Sequence, residues 1–382
     1  MRLSKFPFPQ GLRVMERHAE LKTSDLLAQG LVVTMAAAGV PLYSPIGERM
    51  LSRIERHLEE GFARAGFDLI RLPSLVHTSD LRDGETVGEK FASKLVHLQP
   101  PLDEFHLLST PEMTLVRTIG PAFSHTQLPM RMCYTADFFR SPNDLKKLRV
   151  GRQFRIFGAF CFEPDQRSAI EAMAIIDGLL ESRLADFGLS ACLWQRDEKH
   201  FEVFYSTPEG GYAADYFDVA PSDSERLLSL GMAYFYGRDA QVPARMRTRS
   251  NRNAPLNYVT FGLCTNRVLL AAFDAGRCDG GFRLPWLLKP FAVSVVPRRV
   301  SDTETAMRLV QLLEDAGFEV ALDDRFKLPG PARCGFARSL DIPVCVIAES
   351  GALSVGADDR SDGLRPVTSE EVLALVRQAM QS

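Results

Sequence analysis

The sequence predicts an α+β fold, in which an antiparallel sheet flanked by helices is followed by a small α/β domain. Two patterns support this prediction. Short, aromatic-rich extended runs occupy residues 128–162 and 193–219, and helical periodicity from Ser168 to Leu184 lies between them. After residue 287, strand and helix patterns alternate as in βαβ units. We therefore predict two domains, residues 1–286 and 287–382.

The individual elements follow from hydrophobic spacing. Apolar residues recur at helical spacing from Pro45 to Gly66, which predicts a helix, and the run from Phe67 to Pro73 predicts a strand after it. In the second domain, FAVSVVP, FEVAL and PVCVIA predict strands of a small parallel-type sheet, and TETAMRLVQLLEDAG and ARCGFARSL predict helices. A capping box from Thr368 to Glu371 predicts the start of a last helix.

Composition excludes several classes of protein. The 382 residues include 45 basic and 48 acidic side chains, and the net charge of -3 excludes a protein that coats nucleic acid along its whole surface. No run approaches the roughly 18 apolar residues of a membrane span, and the first residues lack a secretory signal. We therefore predict a cytoplasmic protein without a membrane partner. The seven cysteines stand singly, without zinc-ligand spacing, which predicts no metal site.

Five residues are candidates for a functional site only as a group. Taken singly, Arg140 and Arg267 are typical of ion pairs or helix caps. Glu112 suits the first turn of a helix capped by Thr110, and Phe154 suits a hydrophobic core. Their order and spacing within larger motifs suggest a shared role.

The segment from Thr23 to Leu75 resembles the opening of a prolyl-tRNA synthetase. It combines a small-residue turn, a step with an aromatic residue, proline and glycine, a helix, and a strand that ends in proline. The helix corresponds to motif 1, which forms dimers in this family. The positions that carry the likeness are Gly39, Tyr43, Pro45, Gly47 and Pro73.

Later motifs continue the resemblance in the same order. LPMRMCYTADFFR keeps the family's spacing to the motif 2 arginine, here Arg140, and GRQF resembles the return strand. TFGLCTNR resembles motif 3, which ends in Arg267, and GFRLPWLLKPFAVSVVP resembles the junction to the anticodon-binding domain. The chain is thus identified as similar to class II, subclass IIa, aminoacyl-tRNA synthetases, most of all to the prolyl type and next to the threonyl type. This resemblance implies the class II antiparallel sheet and an anticodon-binding-like second domain.

The resemblance also implies roles for the candidates in ATP binding. Joining a carboxylate to the α-phosphate of ATP brings two anions together, and arginine suits this step because its guanidinium binds both kinds of oxygen. By analogy, Arg140 takes this catalytic role, with Mg²⁺ shielding the pyrophosphate. Phe154 and Arg267 cover the two faces of adenine, Arg267 also reaches the terminal phosphate, and Arg152 of GRQF joins the ATP site.

The amino acid requires a counter-charge for its ammonium group. Thr110-Pro111-Glu112 matches the Thr-x-Glu loop of the prolyl enzymes, whose threonine and glutamate bind that group. Together with Arg140, these residues form the predicted amino-acid site. A carboxylate there selects amino acids over plain carboxylic acids, because an unpaired buried charge is costly.

Several departures from the family pattern fall in the active site. The motif 2 sequence Phe-Arg-x-Glu ends here in Ser141-Pro142, so its acid is absent, and Asp144 offers only a partial substitute. Gly158 stands at an acidic position of the family, and Cys264 replaces a motif 3 glycine. The separation between motifs 2 and 3 leaves no room for the editing insertion of many bacterial prolyl enzymes. These changes predict a specialised paralogue.

Three functions remain open at this point. The favoured one is an ATP-dependent ligase that forms an aminoacyl-adenylate of proline or another amino acid, and passes the acyl group to tRNA, a carrier protein or a small molecule. A catalytically reduced regulatory or partner-binding protein and a complete but atypical prolyl-tRNA synthetase are the alternatives. We also predict a homodimer, with residues 50–62 of the motif 1 helix at or near its interface.

The sequence gives opposing signals about tRNA as the acceptor. The retained second domain, with Asp323, Asp324, Arg325 and Lys327, favours tRNA. An acidic stretch at residues 356–363 disfavours phosphate binding, which depends on Lys and Arg. Basic residues near motif 2 suit either an acceptor stem or a solvated loop, namely Lys146, Lys147, Arg149 and Arg152.

Overall fold

A computed structural model describes residues 1–5, 32–78, 93–119, 124–143, 145, 148–197, 200–206, 227–236, 245–278, 281–356 and 363–380. The chain divides into two compact units. The first contains residues 35–42 and 51–275, and the second contains residues 1–34, 43–50 and 276–382. The predicted boundary between residues 286 and 287 stays a prediction. In the described ranges, no helix is both long and apolar enough to cross a membrane.

Strands and helices are numbered in chain order. The strands are β1 (Val33–Ala37), β2 (Val40–Tyr43), β3 (Asp68–Leu69), β4 (Leu75–His77), β5 (Phe105–Leu107), β6 (Met130–Phe139), β7 (Gln153–Glu163), β8 (Ala191–Asp197), β9 (His200–Ser206), β10 (Leu227–Tyr236), β11 (Arg245–Arg247), β12 (Asn253–Pro255), β13 (Asn257–Cys264), β14 (Arg277–Cys278), β15 (Gly281–Phe282), β16 (Val293–Pro297), β17 (Val320–Leu322), β18 (Val344–Glu349), β19 (Ala352–Val355) and β20 (Arg365–Val367). The helices are α1 (Pro45–Arg64), α2 (Glu112–Ile119), α3 (Gln166–Ala185), α4 (Thr265–Ala275), α5 (Thr303–Asp315), α6 (Gly330–Ser339) and α7 (Ser369–Ala379).

The first unit is built on a seven-stranded sheet in the order β3-β6-β7-β13-β10-β9-β8. All neighbouring strands are antiparallel except β3 and β6, which run parallel. The aromatic runs form these strands because large and β-branched side chains fit a pleated, half-buried surface. The predicted antiparallel sheet flanked by helices is therefore confirmed.

Side chains alternate across this sheet, so its two faces differ in role. Phe157 of β7 and Phe261 of β13 face the motif 1 helix α1, where the Phe62 ring lies 4.8 Å and 6.5 Å from theirs. Helices α3 and α4 also pack against the central strands. The apolar side chains Ile54, Leu58 and Phe62 of α1 are buried within the chain itself. The predicted strand after α1 shortens to β3, and after it the Ile70 N–H still donates to the Cys133 carbonyl oxygen of β6 at 2.9 Å.

The turn between β1 and β2 requires glycine. Gly39 has a φ of +73°, a backbone conformation that disfavours other residues. Its carbonyl oxygen accepts hydrogen bonds from the backbone N–H groups of Arg152 at 2.7 Å and Gln153 at 3.2 Å. A Cβ atom at Gly39 would lie only 2.9 Å from the Arg152 nitrogen. The small-residue turn thus supports the start of β7 directly.

The second unit contains a five-stranded sheet in the order β17-β16-β18-β19-β20. Its three βαβ strands are parallel as predicted, whereas β19 and β20 are antiparallel additions. The sequence missed these two strands because each is too short to show a clear period. Helix α7 begins with the predicted capping box, in which the Thr368 side chain accepts from the N–H of Glu371.

Arg325, a predicted feature of a tRNA-binding domain, is a buried structural residue. Its Nε donates to Asp323 Oδ1 at 2.7 Å, and a second guanidinium nitrogen contacts the other carboxylate oxygen. Its guanidinium also lies 4.4 Å from the centre of the Phe336 ring. A buried, fully engaged ion pair of this kind is not presented to a nucleic acid. The acidic stretch lies largely outside the described residues.

Candidate active site

The first unit encloses a cavity of about 520 Å³. Its floor is the face of the sheet opposite α1, formed by alternate residues of β6, β7, β13 and β10. The strand register sets this floor: Tyr134 pairs with Gly158, and Gly158 pairs with Gly262. Met232 of β10 pairs with Gly262 from the other side. Four strands distant in sequence thus contribute to one surface.

Glu112 is the acidic group at this cavity. It begins helix α2, where the partial positive charge of the helix end favours a carboxylate. Thr260 Oγ1 donates to Glu112 Oε1 at 3.0 Å, and Thr110 Oγ1 donates to Oε2. Burial raises the pKa of Glu112, while its own backbone N–H, the Thr260 hydroxyl and the charge of Arg140 oppose that rise. The carboxylate is therefore held in place but is weakly solvated, as a binding group for a cation requires.

Three tyrosines surround the same carboxylate. Tyr134, Tyr236 and Tyr258 all line the cavity. Burial raises the pKa of each phenol, and the charge of Glu112 raises it further. The rings of Tyr236 and Tyr258 stack with centres 4.6 Å apart. The neighbours of Glu112 therefore include neutral aromatic rings, which also attract cations.

Arg140 lies next to Glu112 in the cavity. Its Nε and Nη2 donate to the Ser109 carbonyl oxygen at 3.3 Å and 3.1 Å, which fixes the guanidinium beside the Thr110 to Glu112 loop. Its Cζ lies 5.3 Å from the centre of the Phe154 ring. Burial lowers the pKa of Arg140, Glu112 raises it, and Arg267 lowers it. The positive charge of Arg140 is therefore influenced by an acidic neighbour, Glu112, and by a basic one, Arg267.

Arg267 reaches the same cavity from the start of helix α4. Its Nε donates to the Arg149 carbonyl oxygen at 3.0 Å, and Nη1 donates to the Ser229 carbonyl oxygen at 2.9 Å. Cys264, three residues earlier, also lines the cavity, and burial raises the pKa of its thiol while Arg267 lowers it. Two guanidinium groups from distant parts of the chain thus converge near one carboxylate.

A network of buried and half-buried polar groups connects helix α1 to strand β7 and to the start of helix α4. Glu55 Oε2 lies 2.6 Å from Arg155 Nη2, and Glu55 Oε1 accepts from Thr265 Oγ1 at 3.0 Å. The Arg155 backbone N–H donates to Asn266 Oδ1 at 2.6 Å. Arg155 directly follows Phe154 in the chain, and Asn266 directly precedes Arg267. The network therefore fixes the β7 strand against the start of α4.

The structure brings five of the six predicted site residues to this cavity. They are Thr110, Glu112, Arg140, Phe154 and Arg267. Arg152 does not belong to the described cavity lining, because its Nη1 points away and donates to the Ala38 carbonyl oxygen at 2.8 Å. Asp144, Lys146 and Lys147 lie outside the described residues.

Sequence reasoning missed several residues of the lining. Tyr134 lies on β6, six residues before Arg140, which directly follows that strand, and Thr260 lies on β13, four residues before Cys264. Alternation along a strand places its even-numbered residues on one face of the sheet. The two-residue period of these strands could therefore have identified Tyr134 and Thr260 as lining residues. Ser229 and Lys94 gave no such signal, because neither belongs to a motif. Both line the cavity.

The cavity lining does not match a protein-held magnesium site. Proteins usually bind Mg²⁺ through one or two carboxylates together with phosphate oxygens of a substrate. Glu112 is the sole acidic residue in the described lining, and both of its oxygens accept hydrogen bonds from threonine hydroxyls. The described residues also contain no group of three or more His, Cys, Asp or Glu side chains that could hold a metal ion.

The antiparallel sheet, with an arginine following one central strand and another opening the helix after β13, defines a class II aminoacyl-tRNA synthetase fold. No protein-family model matches the chain. Proline-tRNA ligases are nevertheless similar to it over nearly the whole length. That of Methylobacterium radiotolerans is 24% identical over an alignment of 446 residues, covering 99% of this chain and 100% of the relative. That of Rhodopseudomonas palustris is 22% identical over 428 residues, covering 96% and 97%.

Solved structures show the same fold. A Giardia lamblia prolyl-tRNA synthetase in complex with prolyl-adenylate gives a TM-score of 0.72 at 17% identity, covering 94% of this chain and 77% of that one. A Cryptosporidium parvum prolyl-tRNA synthetase complexed with L-proline and AMP gives 0.73 at 13% identity, covering 94% and 74%. The predicted resemblance to prolyl-type class II synthetases is thereby confirmed.

Proposed function

We propose that this protein is an ATP-dependent ligase that activates an amino acid as its aminoacyl-adenylate. One observation carries the proposal: Arg140 and Arg267 line a single cavity together with Glu112. A carboxylate beside two guanidinium groups suits a zwitterion and a polyphosphate bound next to each other. The Giardia lamblia relative binds prolyl-adenylate, which is the product of such a reaction, and this supports the proposal.

Formation of the adenylate gives each of the cavity's candidate residues a specific role. An oxygen of the amino acid's carboxylate attacks the α-phosphorus of ATP, the bond from that phosphorus to the bridging oxygen breaks, and pyrophosphate leaves. Arg140 lies between the two anions and stabilises the charge of the transition state. Glu112 and Thr110 hold the ammonium group, so the carboxylate is presented at a fixed distance. Arg267 and Phe154 position the nucleotide, and Mg²⁺ enters as the counter-ion of ATP.

The acceptor of the acyl group and the assembly are also part of the proposal. The similarity to proline-tRNA ligases favours proline as the amino acid and tRNA as the acceptor. A carrier protein or a small-molecule amine is the other acceptor class, because Arg325 is engaged within its own unit. We propose a cytoplasmic homodimer, and the buried apolar face of α1 leaves its more polar face for the partner.

ATP-pyrophosphate exchange across a panel of amino acids tests the proposal. We expect exchange with one amino acid, and we expect Arg140→Ala to abolish it, since the group between the two anions is lost. Arg167→Ala is the control, because that arginine is 90% exposed on α3. Undiminished exchange by Arg140→Ala would contradict the site assignment. Charging of bulk tRNA then separates tRNA from other acceptors.

A catalytically reduced regulatory protein is the second candidate. The observation in its favour is Ser141-Pro142, where the family has the acid of motif 2. This function predicts no exchange with any amino acid, together with measurable binding of a partner protein or tRNA. Exchange with one amino acid, abolished in Arg140→Ala, excludes it.

A further inference from the structure

The described lining of the cavity carries an excess of positive charge. Lys94, Arg140, Arg149 and Arg267 are basic, whereas Glu112 alone is acidic. Concave sites lined by one sign of charge concentrate ligands of the opposite sign. An amino acid is a zwitterion and brings no net charge, so a polyanion is the class of ligand that this lining favours.

Lys94 belongs to none of the sequence motifs, yet it is fixed beside motif 2. Its carbonyl oxygen accepts the backbone N–H of Ser141 at 2.7 Å. Ser141 directly follows Arg140, and the next residue, Pro142, also lines the cavity. The lysine is therefore tied to the turn from which the family's acid is absent.

The ammonium group of Lys94 differs from the two guanidinium groups in its partners. Arg140 and Arg267 each donate to carbonyl oxygens of the chain. Lys94 is a half-buried residue, and among the described residues its ammonium group forms no ion pair with a carboxylate. A partly buried cation without a counter-ion is unfavourable. Its position in the cavity therefore indicates that a ligand supplies the anion.

We propose that Lys94 binds the phosphate chain of ATP and stabilises the pyrophosphate that leaves. This inference rests on the proposed function. When the bond between the α-phosphorus and the bridging oxygen breaks, its electron pair stays on that oxygen, and Lys94 keeps its proton and neutralises part of the new charge. A lysine suits this task because its ammonium is a compact point charge that follows a moving phosphate. Lys94 thus adds a positive charge of the chain itself to a lining that offers Mg²⁺ no free carboxylate.

Binding of AMPPNP in the presence of EDTA tests the proposal by isothermal titration calorimetry. We expect the wild-type chain to bind the nucleotide without Mg²⁺, and Lys94→Met to weaken this binding by about 10-fold or more through loss of a charged hydrogen bond. Lys94→Arg keeps the charge and stays within roughly 3-fold of the wild type. Arg167→Met, which removes one exposed positive charge from the same unit, leaves the affinity unchanged.

Two results would overturn the inference: no AMPPNP binding by the wild type in EDTA, or binding by Lys94→Met within 2-fold of the wild type. Circular dichroism of both Lys94 variants checks that they fold, and Lys94→Gln replaces Lys94→Met if the latter does not. The inference also predicts that Lys94→Met requires more Mg²⁺ for half-maximal ATP-pyrophosphate exchange. If no amino acid supports exchange, the proposed function fails, but the calorimetry still decides whether Lys94 binds phosphate.

Discussion

Replacing Gly158 by alanine tests how the floor of the cavity is built. A Cβ atom at Gly158 would lie 2.3 Å from both Cζ and the hydroxyl oxygen of Tyr134, whereas real Cβ contacts essentially never fall below 3.0 Å. The Tyr134 ring must therefore move by about 0.7 Å or more. Since Tyr134 is 1% exposed, the ring has no solvent to move into, and the cavity is the available direction.

The expected cost follows from two opposing effects. Overpacking a close-packed interior costs about 1–3 kcal/mol. Replacing a strand glycine by alanine recovers roughly 0.5–1 kcal/mol of backbone entropy. Overpacking is the larger effect, so we expect Gly158→Ala to lower the free energy of unfolding by about 1–2 kcal/mol.

Urea unfolding of the variant measures this change. Gly178→Ala is a matched control in helix α3, because its added Cβ meets nothing within 4 Å beyond its chain neighbours and the backbone of its own helix, and we expect it to stabilise by about 0.5–1 kcal/mol. Adding Gly158→Ala to a Tyr134→Ala background removes the clash, so its cost there should vanish. A cost that is equal in both backgrounds would refute the reasoning, since it would show that Tyr134 does not cause it.

Two further changes address the carboxylates. Glu112→Gln should raise the KM for the amino acid by about 10-fold or more, because a charged partner of the ammonium is lost. As the pH falls through the raised pKa of Glu112, the carboxylate becomes protonated, so the wild-type KM for the amino acid should rise while the KM of Glu112→Gln stays constant. The same pH dependence of KM in both proteins would contradict this prediction. Glu55→Gln should lower the free energy of unfolding in urea by about 2 kcal/mol, since Arg155 and Thr265 lose a charged acceptor. Glu60→Gln, at an exposed pair, should change it by less than about 0.5 kcal/mol, and equal effects would reject a structural role for Glu55.

Much of the fold is encoded locally and was therefore accessible from the sequence. Helices α1 and α3 appear where apolar residues recur at helical spacing, and the capping box of α7 is formed by neighbouring residues. Strands β16, β17 and β18 coincide with continuous apolar runs. In each case the signal lies within one turn or one strand, so no distant part of the chain is needed to read it.

The composition of the site was predictable in part, because motif order points to Arg140, Arg267 and Glu112. The roles of single residues depended on which way each side chain points. Arg152 lies between Gly151 and Gln153, which both line the cavity, yet its side chain turns to the Ala38 carbonyl oxygen. Arg325, predicted within a tRNA-binding domain, is buried against Asp323. Sequence alone gives neither direction, because both follow from the neighbours that packing supplies.

By itself, the sequence determined the order of the elements, the class of sheet and the residue types available for binding anions. The tertiary structure alone decided that Tyr134 lies over Gly158, that Lys94 stands beside motif 2, and that the two guanidinium groups share one cavity. The physical reason is register. Alternation along a strand sets the face of each side chain, but only hydrogen bonding between distant strands sets which side chains meet across the sheet.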